Sequence, residues 1–169
     1  MSVQILSVFK VRPEASIPTF ATDGSSCFDL HACIMGLEKV KAYTRMNEPV
    51  ELYCNHDHLK VPAEFRVLIP TGLIFDIPKG HSMRIHPRSG LSFRNGIVMQ
   101  NAEGIVDSDY VEECFILLKN DSLVRQNITH GMRIAQGELV RNEEYVLMES
   151  ADRPSVKTDR NGGFGSTGV

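Results

Sequence analysis

The stretch "FRVLIPTGLIFDIPKGHSMRIHPRSG" (Phe65 to Gly90) restricts the fold of this chain more than any other. Short runs of β-branched and aromatic residues alternate in it with turn formers. It reads as a strand, a turn at "PTG", a strand with Leu73, Phe75 and Ile77 on one face, a turn at "PKGH", and a strand again, which is a meander. "GIVMQN", "GIVD", "VEECFILLKN", "MRIAQGELV" and "EYVLMES" repeat the pattern further on, each ended by glycine or polar residues. No stretch of about twelve residues sustains the apolar spacing of a helix, so little helix is expected. The class implied is all-β, an antiparallel sandwich or jelly-roll-like β-barrel.

A length of 169 residues suits one domain, 1–169. Eighteen basic against twenty-one acidic residues give a net charge of −3, which argues against a polyanion-binding surface and so against direct nucleic-acid binding. A small charged metabolite is compatible with that balance. The longest apolar runs are a few residues, such as "FILL" at 115–118, too short for a membrane span. Cys27, Cys33, Cys54 and Cys114 form no CxxC pair and no apolar leader opens the chain, so a reduced, cytoplasmic setting is expected.

Two regions depart from the pattern. Leu37 to Arg66 carries five basic and five acidic residues and the cluster "YCNHDHLK", and reads as a polar insertion of about 37–66. Cys54, His56 and His58 in it are metal-ligand types, but alternation on one strand brings only the two histidines together, and a solvated loop is the plainer reading. The tail from about 152 ends in "DRNGGFGSTGV", with four glycines in its last eight residues, and is expected to be a mobile arm.

Three stretches carry chemistry. "PRSGLSFRNGI" (Pro87 to Ile97) sets an arginine fork, serine hydroxyls and glycines after a strand, which suits a phosphate or a polar turn equally. "GGFGSTG" offers backbone amides, the Ser166 and Thr167 hydroxyls and the Phe164 ring, although such termini are usually linkers. "GIVDSDY" offers a carboxylate for general-base work and a tyrosine to pack on a sugar or base, or else an Asx-type turn. Together they make the inventory of a nucleotide hydrolase.

In this order the motifs resemble the trimeric deoxyuridine triphosphate nucleotidohydrolases, the dUTPases. The five matching stretches are "GSSCFDLHA" (Gly24 to Ala32), "PRSGL", "GIVDSDY", "GMRIAQGEL" (Gly131 to Leu139) and "GGFGSTG". The resemblance implies a jelly-roll-like dUTPase (β-clip) barrel, and a homotrimer whose sites lie between subunits and are closed by the C-terminal arm. It implies hydrolysis of dUTP to dUMP and pyrophosphate, which limits uracil incorporation into DNA and supplies dUMP for dTMP synthesis.

Carried over by position, Asp107 is the base that activates water, and Arg88, Ser89, Gly90 and Gln136 hold phosphate oxygens. Asp29 positions a hydrated Mg²⁺. Asn101, Gly104 and backbone groups from Ile105, Val106 and Asp107 and near Phe115 read uracil, with Tyr110 under the deoxyribose. Arg160 reaches the γ-phosphate, Phe164 stacks on the base, and Gly165, Ser166 and Thr167 wrap the phosphates.

The chain departs from the family after the tyrosine, where Val111 and Glu112 replace a usual arginine and glycine. If that position needs a positive φ, Glu112 strains the uracil hairpin. Asp109 and Glu113 are expected to shape or solvate that hairpin. A dCTP deaminase of the same fold is the near alternative, suggested only by Glu112 and Glu113. A dUTPase-like trimer that also binds a protein partner through 37–66, and a structural jelly-roll trimer, are alternatives of other classes.

Overall fold

The structure, a computed structural model, describes residues 3–159. Its strands are β1 (Ser7–Lys10), β2 (Phe28–His31), β3 (Lys39–Tyr43), β4 (Pro49–Asn55), β5 (His58–Val61), β6 (Arg66–Pro70), β7 (Leu73–Asp76), β8 (His81–His86), β9 (Ile97–Met99), β10 (Gly104–Val106), β11 (Phe115–Asn120), β12 (Gln126–Thr129) and β13 (Arg133–Arg141). One short helix, α1 (Ser89–Asn95), interrupts them. Strands pair into sheets of order β12-β5-β4-β3-β6-β11-β9, β10-β8-β13-β2 and β1-β7. The all-β, barrel-like class expected from the sequence is correct.

The core is apolar and drawn from alternating strand positions, with Leu30, Ile69, Met83, Ile116, Ile128 and Ile134 fully enclosed. Phe28 stacks on Phe75 at 6.1 Å, and the Gly137 backbone lies beneath it: a Cβ there would sit 2.7 Å from the Phe28 ring. Only glycine lets β13 pass that close to β2.

Three expectations need correction. The strands around "PTG" and "PKGH" exist, but they do not form a meander: β6, β7 and β8 belong to three different sheets. At Pro70 to Leu73 the chain crosses between sheets, and its backbone groups bond to Cys33, Cys114 and Val11 rather than to each other. A turn signal marks where a strand stops, whereas its partner is chosen by burial elsewhere in the chain.

The cluster "YCNHDHLK" is no solvated loop. It is the β4–β5 hairpin, turning at His56 (φ 59°), and β3 to β5 are interior strands of the large sheet, with Val40, Ala42, Leu59 and Val61 buried. The segment looks polar in the sequence because only every second side chain faces the core. The fully buried Asn120 fastens this segment, donating to the carbonyls of Val61 (3.0 Å) and Val124 (2.7 Å) while accepting from Ser122 Oγ (2.7 Å).

Finally, "EYVLMES" is not a strand: β13 ends at Arg141, and Tyr145 to Met148 are exposed. Residues 152–159 of the expected arm are exposed and without regular structure. No helix of the described residues is long and apolar enough to cross a membrane.

Candidate active site

β2, β13 and β8 lie side by side, and their register aligns Asp29 with Gln136 and Gln136 with His86. Just past His86 the chain leaves the sheet, and Arg88 caps α1 in an extended conformation. Leu91 anchors that helix in the core and Gly96 ends it with a left-handed φ of 62°. A helix of seven residues with one buried side chain has no readable periodicity, although Gly96 is a stop signal of the usual kind.

Arg88 is held from several sides. Its Nε lies 3.0 Å from Asp29 Oδ1, while Arg133 lies 3.2 Å from Asp29 Oδ2. Gln136 donates to the Pro87 carbonyl at 3.1 Å. The Asp29 side chain is 14% exposed, so two guanidinium groups converge on one nearly buried carboxylate and leave a surplus positive charge. That surplus faces a cleft of about 330 Å³ lined by Arg88, Gly90, Arg94 and Arg133. Sequence reasoning misses Arg133 because its partner is remote in the chain. Ser89, at the first position of α1, is exposed.

On the same strand as Asp29, His31 is half-buried, and burial pushes its pKa down, opposed by Asp29 and reinforced by Arg133 and Arg88. Its Nδ1 is enclosed without a hydrogen-bond partner among the described residues. Neutral imidazole is the form this setting favours.

A second cleft, also about 330 Å³, gathers Asn101, Gly104, Ile105, Val106, Asp107, Tyr110 and Phe115. All seven are expected from the sequence. They do not form a β-hairpin, however: β10 pairs with β8 and β11 pairs with β6 and β9, so the two arms belong to different sheets and the cleft opens between them. Gly104 lets β10 lie close against β8, because a Cβ there would meet the Ile85 Cβ at 3.2 Å. The preceding turn places Ala102 at φ 58°.

Tyr110 closes the floor. Its N–H donates to the Asp107 carbonyl (3.1 Å) and its hydroxyl to the Glu113 carbonyl (3.0 Å). Burial first, with the nearby Cys114 and the carboxylates of Glu112 and Glu113, raises the Tyr110 pKa, so the phenol stays a donor. Burial also pushes the Cys114 thiol up to about 12, which makes it inert packing. The Asp107 side chain is exposed and forms no ion pair among the described residues.

The two glutamates differ. Glu113 does not solvate the turn. It pairs with Arg12 (3.3 Å) and accepts the Gly72 N–H (2.9 Å), with its side chain only 12% exposed. Glu112 points into solvent, and its φ is not positive, so no glycine is required there. The expected metal-ligand types Cys54, His56 and His58 do not converge as a candidate ion site. Arg160, Phe164, Gly165, Ser166 and Thr167 lie outside the described residues.

The deoxyuridine 5'-triphosphate nucleotidohydrolase of Treponema pallidum subsp. pallidum is 37% identical to this chain, over 94% of each protein. That of Anaeromyxobacter sp. (strain Fw109-5) is 36% identical over 99% of this chain and 98% of its own length. Among solved structures, a mutant dUTPase of Staphylococcus bacteriophage 80alpha with dUpNHpp superposes at a TM-score of 0.78 with 20% identity, covering 99% of this chain and 100% of that one. A mutant dUTPase from phage phi11 of S. aureus, described for its structural Mg(II) ion, has a TM-score of 0.69 at 17% identity, over 90% and 100%. The sequence model of the dUTPase family matches residues 51–168, and with relatives this similar over nearly its whole length the chain belongs to the dUTPase family.

Proposed function

We infer that this chain is a dUTP diphosphatase, hydrolysing dUTP to dUMP and pyrophosphate by water attack at the α-phosphorus. One observation carries the reading: a cleft walled by backbone, Gly104 and Tyr110 holds at its edge a carboxylate with no ion pair among the described residues, Asp107. Backbone groups of β10 and the Asn101 amide match the edge of uracil, and Tyr110 packs beneath the deoxyribose, leaving no room for a 2′-hydroxyl. Asp107 accepts the proton of the attacking water.

Arg88, Ser89, Gly90 and Gln136 hold phosphate oxygens, with Arg133 adding charge. Both Asp29 oxygens lie beside arginines and keep lone pairs that a water of a hydrated Mg²⁺ would use, so Asp29 would position the ion through that water. Such an ion would supply positive charge that offsets the charge of the triphosphate. Arg160 on the γ-phosphate, Phe164 on the base, and Gly165, Ser166 and Thr167 around the phosphates complete the reading.

The two clefts share no lining residue. We therefore place the substrate between copies, the base cleft of one and Arg88 of another, in a homotrimer. A panel of dUTP, dTTP, UTP and dCTP with pyrophosphate and ammonia detection tests the activity. Pyrophosphate from dUTP alone is the expected result, and ammonia from dCTP would mark a deaminase instead.

A further inference from the structure

Beside the phosphate-side charges lies a cluster of different chemistry. Cys27 precedes β2, His86 ends β8 and Glu138 sits on β13; all three are half-buried, and their ligand atoms lie within 4.8 Å of one another. His86 Nε2 is 3.0 Å from Glu138 Oε1, and its Nδ1 is 3.6 Å from Glu103 Oε1. The three strands are neighbours in one sheet, so the ladders fix these positions. Glu138 also borders a cleft of about 410 Å³ together with Ser26 and Phe28, which opens the cluster to solvent.

A tetrahedral ion with bonds of about 2.0–2.3 Å sets its ligand atoms roughly 3–4 Å apart, a spacing that small side-chain movements reach from atoms lying within 4.8 Å of one another. A thiol, an imidazole and one carboxylate suit Zn²⁺ and fit Mg²⁺ poorly, since Mg²⁺ calls for oxygen donors. Glu103 lies behind His86 as carboxylates commonly do behind zinc-bound histidines, where they fix the ring and its tautomer. A simple His86–Glu138 ion pair would explain neither the thiol beside it nor the second carboxylate on the other ring nitrogen.

We propose that Cys27, His86 and Glu138 bind a thiophilic divalent cation, with Zn²⁺ the best fit, in a site separate from that of the Mg²⁺ accompanying the nucleotide. The Cys27 S–H releases its proton to solvent as the sulfur–metal bond forms, and water fills the fourth position. The ion would tie β2, β8 and β13 together next to the aligned Asp29, Gln136 and His86.

The test is a Co²⁺ titration of the chelator-stripped, full-length protein in excess Mg²⁺, followed by near-ultraviolet absorption. A thiolate-to-cobalt charge-transfer band saturating at one ion per chain, and displaced by Zn²⁺, is expected. Cys27→Ser should abolish the band. His86→Ala and Glu138→Gln should weaken binding more than about tenfold, and Glu103→Gln about tenfold through the ring. Far-ultraviolet circular dichroism of each metal-free variant checks folding, and Cys27→Ala replaces Cys27→Ser if that variant misfolds. Absence of the band in wild type overturns the proposal. So does a band unchanged in the Cys27 variant or in His86→Ala, which would put the ion at another cysteine or at His56 and His58.

Discussion

The two clefts solve opposite problems. Around Arg88 the structure concentrates charge and balances it incompletely, with two guanidinium groups on one carboxylate. Around Asp107 it does the reverse, surrounding one carboxylate that has no ion pair among the described residues with backbone and apolar walls. A surplus of cations gives attraction to any polyphosphate, whereas fixed backbone donors and acceptors discriminate between bases because a wrong edge leaves them unmatched. The family's substrate asks for both. One chain provides each half on a different part of its surface.

Changing Asp107→Asn should break the base-side half most severely. We expect kcat to fall by about 10²–10⁴ with an unchanged melting temperature, read as pyrophosphate release under saturating dUTP. Near-normal turnover would remove Asp107 from the chemistry. Arg88→Ala should lose about 1.5–3 kcal/mol of transition-state binding, or roughly 10–100-fold in kcat/KM. If the halves meet between copies, unfolding and reassembling equal amounts of these two impaired variants should restore about a quarter of the wild-type sites. Restoration of none would place both halves of the site in one chain.

Stability sharpens the contrast within the turn itself. Glu113→Ala leaves Arg12 and the Gly72 N–H without their acceptor and should cost about 1–3 kcal/mol in urea denaturation. The pH dependence should follow His31. Its folded pKa lies below the ordinary value of about 6.5, so the unfolded chain binds the proton more readily. The stability that neutral His31 supports is complete above about pH 6.5 and is lost as the pH falls from there towards the folded pKa. A His31→Asn variant should show a flatter acid limb in thermal melts. Glu112→Gly should do least, changing stability by no more than about 0.5 kcal/mol and leaving the preference for dUTP over dTTP intact.

The residues of the base-side cleft are legible in the sequence because they are contiguous, "NAEGIVDSDY" holding six of the seven. Arg88 and Asp29 are legible only as motif members; their contact, and the part of Arg133 in it, are not, since Arg133 lies 104 residues from Asp29 in sequence. Of the two roles expected for Glu113, shaping or solvating the turn, only the first applies, and its partners Arg12 and Gly72 are not legible for the same reason.

The sequence by itself determined that strands would dominate, roughly where most of them lie, and which short stretches carry chemistry, because alternation and turn formers act over a few residues. Tertiary structure alone decided which strands pair. It sent β6, β7 and β8 into three sheets and β10 and β11 into two, and it drew the polar segment from Leu37 to Arg66 into the large sheet. Pairing depends on which faces can be buried together, a property of the whole chain. That choice also opened the cleft: paired as an ordinary hairpin, β10 and β11 would have filled the space beside Asp107 with their own hydrogen bonds.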